Sequence, residues 1–240
     1  MSLNSSLEQL LRKYGELLHS VDGWFARSAA AAGDAVVCGK GCSACCRGVF
    51  DITLLDAYYL RQGFDKLSSP VKEVVLSRVR VQLDLLRSVW PDMSHPYILN
   101  VLAEEQCERL MPEDDLTPCC LLDENGDCLV YENRPMTCRL HGLPLIDVSG
   151  EIFQDEWCTR NFNAEDPLEK ESLRWDFREC FQRELMLFQE FMGILLKQKI
   201  NELDTCVPMA LLIDFDTFDW QGWWWENSRQ IRSVGFPESR

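Results

Sequence analysis

Apolar side chains recur at helical spacing from the start of the chain: Leu7, Leu10, Leu11, Tyr14, Leu17, Leu18, Val21, Trp24 and Phe25. This i, i+3, i+4, i+7 stripe predicts a helix over residues 3–32 with one buried face. Gly33 and Asp34 supply a stop. A second helical pattern covers 52–60, with Thr53 placed to cap it. Pro70 opens a longer helix reaching about Trp90, with Val71, Val74, Val75, Val79, Leu83 and Leu86 on its apolar face, and Pro91 stops it. Residues 96–110 predict a further helix, closed by Pro112. The helical period returns over 167–203 through Leu173, Phe177, Phe181, Leu185, Phe188, Phe191, Met192, Leu195 and Leu196. The following segment, MALLIDFDTFDWQGWWWENSRQ, is apolar and aromatic but shows no assignable period.

Two stretches break the helical pattern. VVCGKGCSACCRG is a loop rich in Gly and Cys, where glycine lets the backbone fold tightly. Residues 112–165 are dominated by Pro, Gly, acids and Cys, with short extended runs at 128–131 and 151–154. Within them LLDENGDCLVY predicts a small β-hairpin turning at Asn125-Gly126. No internal repeat or low-complexity linker divides the chain. The expected fold is mainly α: one helical domain over 1–240, with an irregular cysteine-rich metal-binding insert that contains a short β-hairpin. The cysteine-cluster region spans 37–158.

Composition narrows the function. The chain of 240 residues is 46% apolar, enough for a substantial core, and its formal net charge is −15. No basic surplus exists to displace counterions from nucleic acid or to hold an anionic membrane surface, so neither is expected as a partner. Twelve cysteines set the chemistry. The N-terminal segment reads as an amphipathic helix rather than an export signal, and no apolar run is long enough to span a bilayer. The expected compartment is therefore cytoplasmic, where clustered cysteines serve more often as metal ligands or redox groups than as disulfides.

The strongest feature is Cys38-x3-Cys42-x2-Cys45-Cys46. A Cys-x2-Cys spacing lets two thiolates converge on one metal from a tight turn, and Cys38 adds a third. Neighbouring residues rarely point the same way, so one of Cys45 and Cys46 serves a second metal or none. A second group comprises Cys119, Cys120, Cys128, Cys138 and Cys158, in a stretch where no helix is expected. Taking Cys119, Cys128, Cys138 and Cys158 with the first four gives eight candidate ligands, enough for two four-thiolate sites holding zinc, iron or iron–sulfur clusters. Arg47, Arg134 and Arg139 lie beside them in sequence and are candidates to offset thiolate charge. Cys107, Cys180 and Cys206 fall in apolar patterns and read as small buried hydrophobes.

CGKGCSACC followed by PCCLLDENGDCLVYENRPMTCRLHG resembles the zinc- or iron-chelating CxxxCxxCC family, the YkgJ-like cysteine-cluster proteins. The residues carrying the resemblance are Cys38, Cys42, Cys45, Cys46, Cys119, Cys128, Tyr131, Arg134, Pro135, Cys138 and Arg139, with Cys158 as a later family cysteine. The likeness covers about half of the chain. The doubled Cys119–Cys120 departs from the pattern and leaves open which of the two is the ligand. The resemblance implies metal chelation and no particular reaction. Some flagellin lysine methylases resemble the cysteine motif but are longer, and no catalytic residue carries over.

Other signals are weaker. The first three cysteines also match the spacing of radical S-adenosylmethionine enzymes, but the alternating strands and helices of a barrel are missing. Asp123-x-Asn125-x-Asp127 mimics the start of a calcium loop, yet Cys128 and Arg134 stand where Gly and Glu are required. His19 reads as structural or exposed, and His141 as a subsidiary ligand candidate. Trp220, Trp223, Trp224 and Trp225 read as core or interface. Three readings follow: a metal-binding cysteine-cluster protein; an iron–sulfur enzyme of redox or methyl-transfer type; and a structural zinc module scaffolding an unknown protein partner through the aromatic tail.

Overall fold

A computed structural model describes residues 3–39, 41–112 and 116–231. Lys40 and residues 113–115, which fall inside the expected cysteine-cluster region, lie outside the described residues. The fold is mainly α: eight α-helices and two small antiparallel sheets are present among the described residues.

Helix α1 (Leu3–Ala32) covers the predicted range and organises the core. Leu10, Tyr14, Leu17, Leu18 and Val21 are fully buried, and Trp24 nearly so. This stripe packs against α6 (Phe177–Leu195), whose Phe177, Cys180, Leu187, Phe188, Phe191 and Met192 are buried in return. At one end of the pair Trp24 stacks on Trp175 and meets the edge of Phe177, with ring centroids 6.1 and 4.9 Å away. Its indole N–H donates to the Leu173 carbonyl at 2.8 Å.

Helix α2 (Leu54–Asp65) starts where expected, because Thr53 Oγ1 accepts the Asp56 amide at 3.0 Å. Ile52 does not join it. It lies in β1 (Asp51–Thr53), which pairs antiparallel with β4 (Asp204–Cys206). Helix α3 (Ser69–Val89) follows the Pro70 signal and buries Val75, Val79, Leu83 and Leu86. Val74, expected on that face, is exposed.

Three expectations are corrected. The helix predicted over 96–110 is broken, and only α4 (Glu104–Leu110) forms. Buried Asn100 is the reason: its Oδ1 accepts the Asp204 amide at 2.6 Å and its Nδ2 reaches Glu202 and Asp204, tying this backbone to β4 instead of to a helical ladder. The helix predicted over 167–203 runs only from Phe177 to Leu195; Asp176 caps its start by accepting the Glu179 amide at 2.9 Å. Before it, Trp175 donates its amide to Ile146 of β2 (Leu145–Ile146), which pairs with β3 (Ile152–Gln154). The third correction is the hairpin. Leu122 and Cys128 form only a bridge, and the reversal centres on Glu124–Asn125, with Gly126 following at φ +83°. Asp123 Oδ1 accepts the Asn125 and Asp127 amides, each at 2.8 Å, so this carboxylate builds the turn. The run at 128–131 is not a strand.

The aromatic tail resolves into α7 (Val207–Ala210) and α8 (Trp220–Asn227). Trp220 is buried in the core, whereas Trp225 projects into solvent.

Asp56, on α2, is buried with its Oδ1 accepting Tyr14 Oη at 2.7 Å and the Met136 amide at 2.9 Å. Burial lifts its carboxyl to about 6. Because the folded chain then holds this proton more tightly than the unfolded chain, the stability it contributes is present below about pH 4 and lost as pH rises through about 6. Urea unfolding across that window should show stability falling with pH, and Asp56→Asn should remove this part of the slope. A variant with the wild-type slope would contradict the assignment.

Candidate metal centre

The first cysteine loop is two successive tight turns, closed by Cys42 N to Gly39 O at 3.0 Å and Cys46 N to Ser43 O at 3.1 Å. Gly41, at φ +77°, is a conformation that a side chain would strain. The loop's far end pairs with the start of the second cysteine stretch: Gly48 N donates to Thr117 O at 2.9 Å and Cys119 N to Cys46 O at 2.9 Å. Gly126 sits over Gly41 and Ser43, so closely that a Cβ there would come within 3.1 Å of the Gly41 carbonyl. Two stretches separated by some seventy residues are thereby laid side by side.

Cys158 arrives from a third direction. Its amide donates to Gly142 O at 3.3 Å, and the Phe162 amide donates to Ala35 O at 2.7 Å. Asn161, buried, is the tie that sequence reasoning missed. Its Oδ1 accepts the Val37 amide at 3.0 Å, while its Nδ2 donates to Gly142 O at 2.7 Å and reaches Cys38 Sγ at 3.3 Å. Arg160 Nη1 lies 3.6 Å from Cys42 Sγ. Both residues lie just past Cys158, beyond the motif, and no spacing in the sequence points to them.

The thiols fall into two groups. Cys38 is close enough to Cys42, Cys158 and Cys45 for their charge to bear on its ionisation. Cys138 stands in the same relation to Cys119 and Cys128. Cys45 and Cys46 are hydrogen-bonded to each other at the junction. Cys38, Cys42, Cys45 and Cys158 thus form one group, with Cys46 bonded to Cys45, and Cys119, Cys128 and Cys138 form another. Cys138 is an exception to the expectation that the second stretch lacks helices: it sits on α5 (Met136–Leu140). Among the described residues no three His, Cys, Asp or Glu side chains are drawn around a common point at ion-binding distance.

The adjacent Cys119 and Cys120 side chains have different surroundings. Cys119 faces Cys128 and Cys138, whereas Cys120 is turned into the core, near the fully buried Cys206. A hydrogen bond from Cys120, aided by the Leu121 amide and the charge of Arg78, pulls the Cys119 thiol below its usual range. Burial pushes the Cys38, Cys128 and Cys138 thiols up, and for Cys45 the hydrogen bond with Cys46 acts first. Cys180 and Cys206, both buried, are pushed up to about 12 by burial, as expected for small core side chains.

The arginines divide. Arg134 exerts its charge on Cys45, Cys128 and Cys138, and its buried Nε has no partner. Arg139 also bears on Cys128, and it ties down the backbone by donating to Arg134 O at 3.0 Å and Glu132 O at 2.8 Å. Both guanidinium groups meet the Asp22 carboxylate of α1. Arg47 reaches only the Leu116 carbonyl, at 3.3 Å, and His141 is exposed at the end of α5.

Comparison with protein-family models, with curated proteins and with solved structures finds no match.

Asn161→Ala would leave the Val37 N–H and the Gly142 carbonyl without their partner. It should cost about 1–3 kcal/mol in urea unfolding. Asn163→Ala, at an exposed position two residues away, should stay within about 0.5 kcal/mol. Equal effects would show that Asn161 is not a tie.

Proposed function

We propose that this chain is a metal-binding cysteine-cluster protein that chelates zinc or iron through thiolates, the iron either as single ions or as iron–sulfur clusters. The observation that supports the reading is that thiols from distant stretches of chain come near one another: Cys38 to Cys42, Cys45 and Cys158, and Cys138 to Cys119 and Cys128. Cys38, Cys42, Cys158 and one of Cys45 and Cys46 form one four-thiolate donor set. Cys119, Cys128, Cys138 and the other member of the pair form the second. Soft thiolate sets of this kind suit zinc and iron–sulfur centres. The surroundings fit as well. The unpartnered, buried Arg134 Nε–H would gain an acceptor once neighbouring thiols ionise on a metal, and Asn161 and Arg160 are already placed to donate to sulfur. A net charge of −15 favours cation uptake and disfavours nucleic acid. Among the described residues no helix is long and apolar enough to cross a membrane. The cytoplasm, with its reducing poise, is the compartment in which these thiols would remain free to bind metal.

A second reading, an iron–sulfur enzyme of redox or methyl-transfer type, is favoured by one feature. A solvent-open cleft of about 320 Å³, lined by Asp34, Val37, Arg160, Asn163 and Glu165, adjoins the first thiol group through Arg160. It offers a small molecule a seat beside the metal.

Anaerobic purification followed by zinc, iron and acid-labile sulfide analysis tests both readings. About two metal centres per chain are expected. Cys42→Ser should deplete one and Cys138→Ser the other, whereas Cys180→Ser should change nothing. Sulfide in proportion to iron, with visible absorbance bleached by reductant, is required by the second reading and compatible with the first; colourless zinc protein removes the second. A folded, metal-free wild-type product overturns both.

A further inference from the structure

The two thiol groups differ in what encloses them. The second lies in packed structure. Cys119 is followed by Cys120 and Leu121, which are 1% and 2% exposed, and Cys138 stands between Met136 at 2% and Arg139 at 4%. The chain around these thiols is tied to three helices. Gln82 Nε2 of α3 donates to Pro118 O at 3.0 Å, the Met136 amide donates to Asp56 of α2, and Arg134 and Arg139 meet Asp22 of α1. Three guanidinium groups bear on the thiols themselves: Arg78 on Cys119, Arg134 on Cys128 and Cys138, and Arg139 on Cys128. The cavity against Cys119, between Gly48, Phe50 and Gln82, measures about 10 Å³ and admits about one water. The first group is open. Val37, before Cys38, is 48% exposed, and Gly39 after it is exposed, as are Thr159 and Arg160 after Cys158. Arg134 bears on this group at Cys45, and its sulfurs accept from Asn161 Nδ2 at Cys38 and from the exposed Arg160 at Cys42. Beside Arg160 opens the cleft of about 320 Å³.

We propose, resting on the metal-binding reading above, that the second group holds a structural ion and the first a cargo ion, taken up and released through the cleft beside Arg160. Charge and access both point this way. Four thiolates around a divalent ion leave a negative centre, and such a centre is tolerated inside packed structure only where fixed cations face it. The second group has three of them. The first, being open, has water for that purpose. An ion leaves a thiolate site when an incoming ligand displaces sulfur, so release needs an open approach. Packed chain hems in the second group, whereas the cleft leaves the first approachable. Arg160 also donates to Cys42 Sγ, which draws electron density from a sulfur that would bond the ion and loosens its hold. Asp34, on the cleft wall, offers a departing cation a carboxylate. The consequences for folding differ in the same sense. Cys119, Cys128 and Cys138 belong to chain anchored on α1, α2 and α3, so an ion joining them contributes to the fold. Cys38, Cys42 and Cys158 belong to exposed loops, and an ion joining them can leave without disturbing the helices.

The full chain, purified anaerobically with zinc in every buffer, is challenged with excess EDTA, and the metal left on the chain is measured over time. Release should be biphasic, with rates at least about tenfold apart. Cys42→Ser should abolish the fast phase, and Cys138→Ser the slow one. Amide hydrogen exchange, read by mass spectrometry on the same samples, separates the roles without any variant. Loss of the fast ion should leave exchange over 118–140 unchanged, and loss of the slow ion should speed it. This wild-type measurement decides the matter even if Cys138→Ser does not fold. A single release rate for both ions, a fast phase that survives Cys42→Ser, or exchange over 118–140 that speeds as soon as the fast ion leaves each overturns the division and leaves the metal-binding reading in place. A chain that keeps neither zinc nor iron overturns that reading, and the division with it.

Discussion

One carboxyl group, that of Asp56, fixes where three helices meet. It is 1% exposed, and a single oxygen takes both the Tyr14 hydroxyl of α1 and the first amide of α5. A buried carboxyl is tolerated only when its hydrogen bonds are made, and losing either partner would leave a desolvated polar group behind. The position of α5, and with it Cys138, is set by this contact. Eight residues further along α1, about 12 Å at the helical rise, Asp22 takes the guanidinium groups of Arg134 and Arg139. The segment from Tyr131 to Leu140 is thus held to α2 at Asp56 and to α1 at Asp22. Its own short helix has too few turns to hold a shape unaided.

The remaining thiol segments are placed by backbone hydrogen bonds rather than by regular structure. Cys46 and Cys119 are joined through main chain, Cys158 through Gly142, and Cys38 through its neighbour Val37 to Asn161. These bonds fix where each segment runs. The structure also divides the cysteines by role. Cys180 and Cys206 are core, Cys120 is turned inward, Cys107 sits apart on α4, and the other eight are partly exposed.

Much of the helical frame was legible from periodicity. Residues 3–32, the cap at Thr53 and the start near Pro70 follow from local rules, because a long amphipathic stripe and a capping side chain act within a few residues of themselves. Where the reading failed, a distant partner overrode local preference. Asn100 exchanges helical bonding for Asp204, more than a hundred residues away. Trp175 delays α6 by pairing with Ile146. Val74, apolar and in phase with its neighbours, lies just outside the buried arc, which no single helix reveals. In the cysteine region Asp123, two residues before the expected turn centre, moved the turn by taking two amides.

The sequence by itself determined a mainly helical chain and singled out eight cysteines, because periodicity and ligand spacing are local properties of the chain. Tertiary structure alone decided how those cysteines divide between two groups and that Cys119 rather than Cys120 faces its partners. It also decided that Asn161 and Arg160 stand beside sulfur, while Arg134 and Arg139 both meet Asp22. The physical reason is that these assignments depend on which segments share backbone hydrogen bonds across long separations, and neither composition nor spacing encodes that pairing.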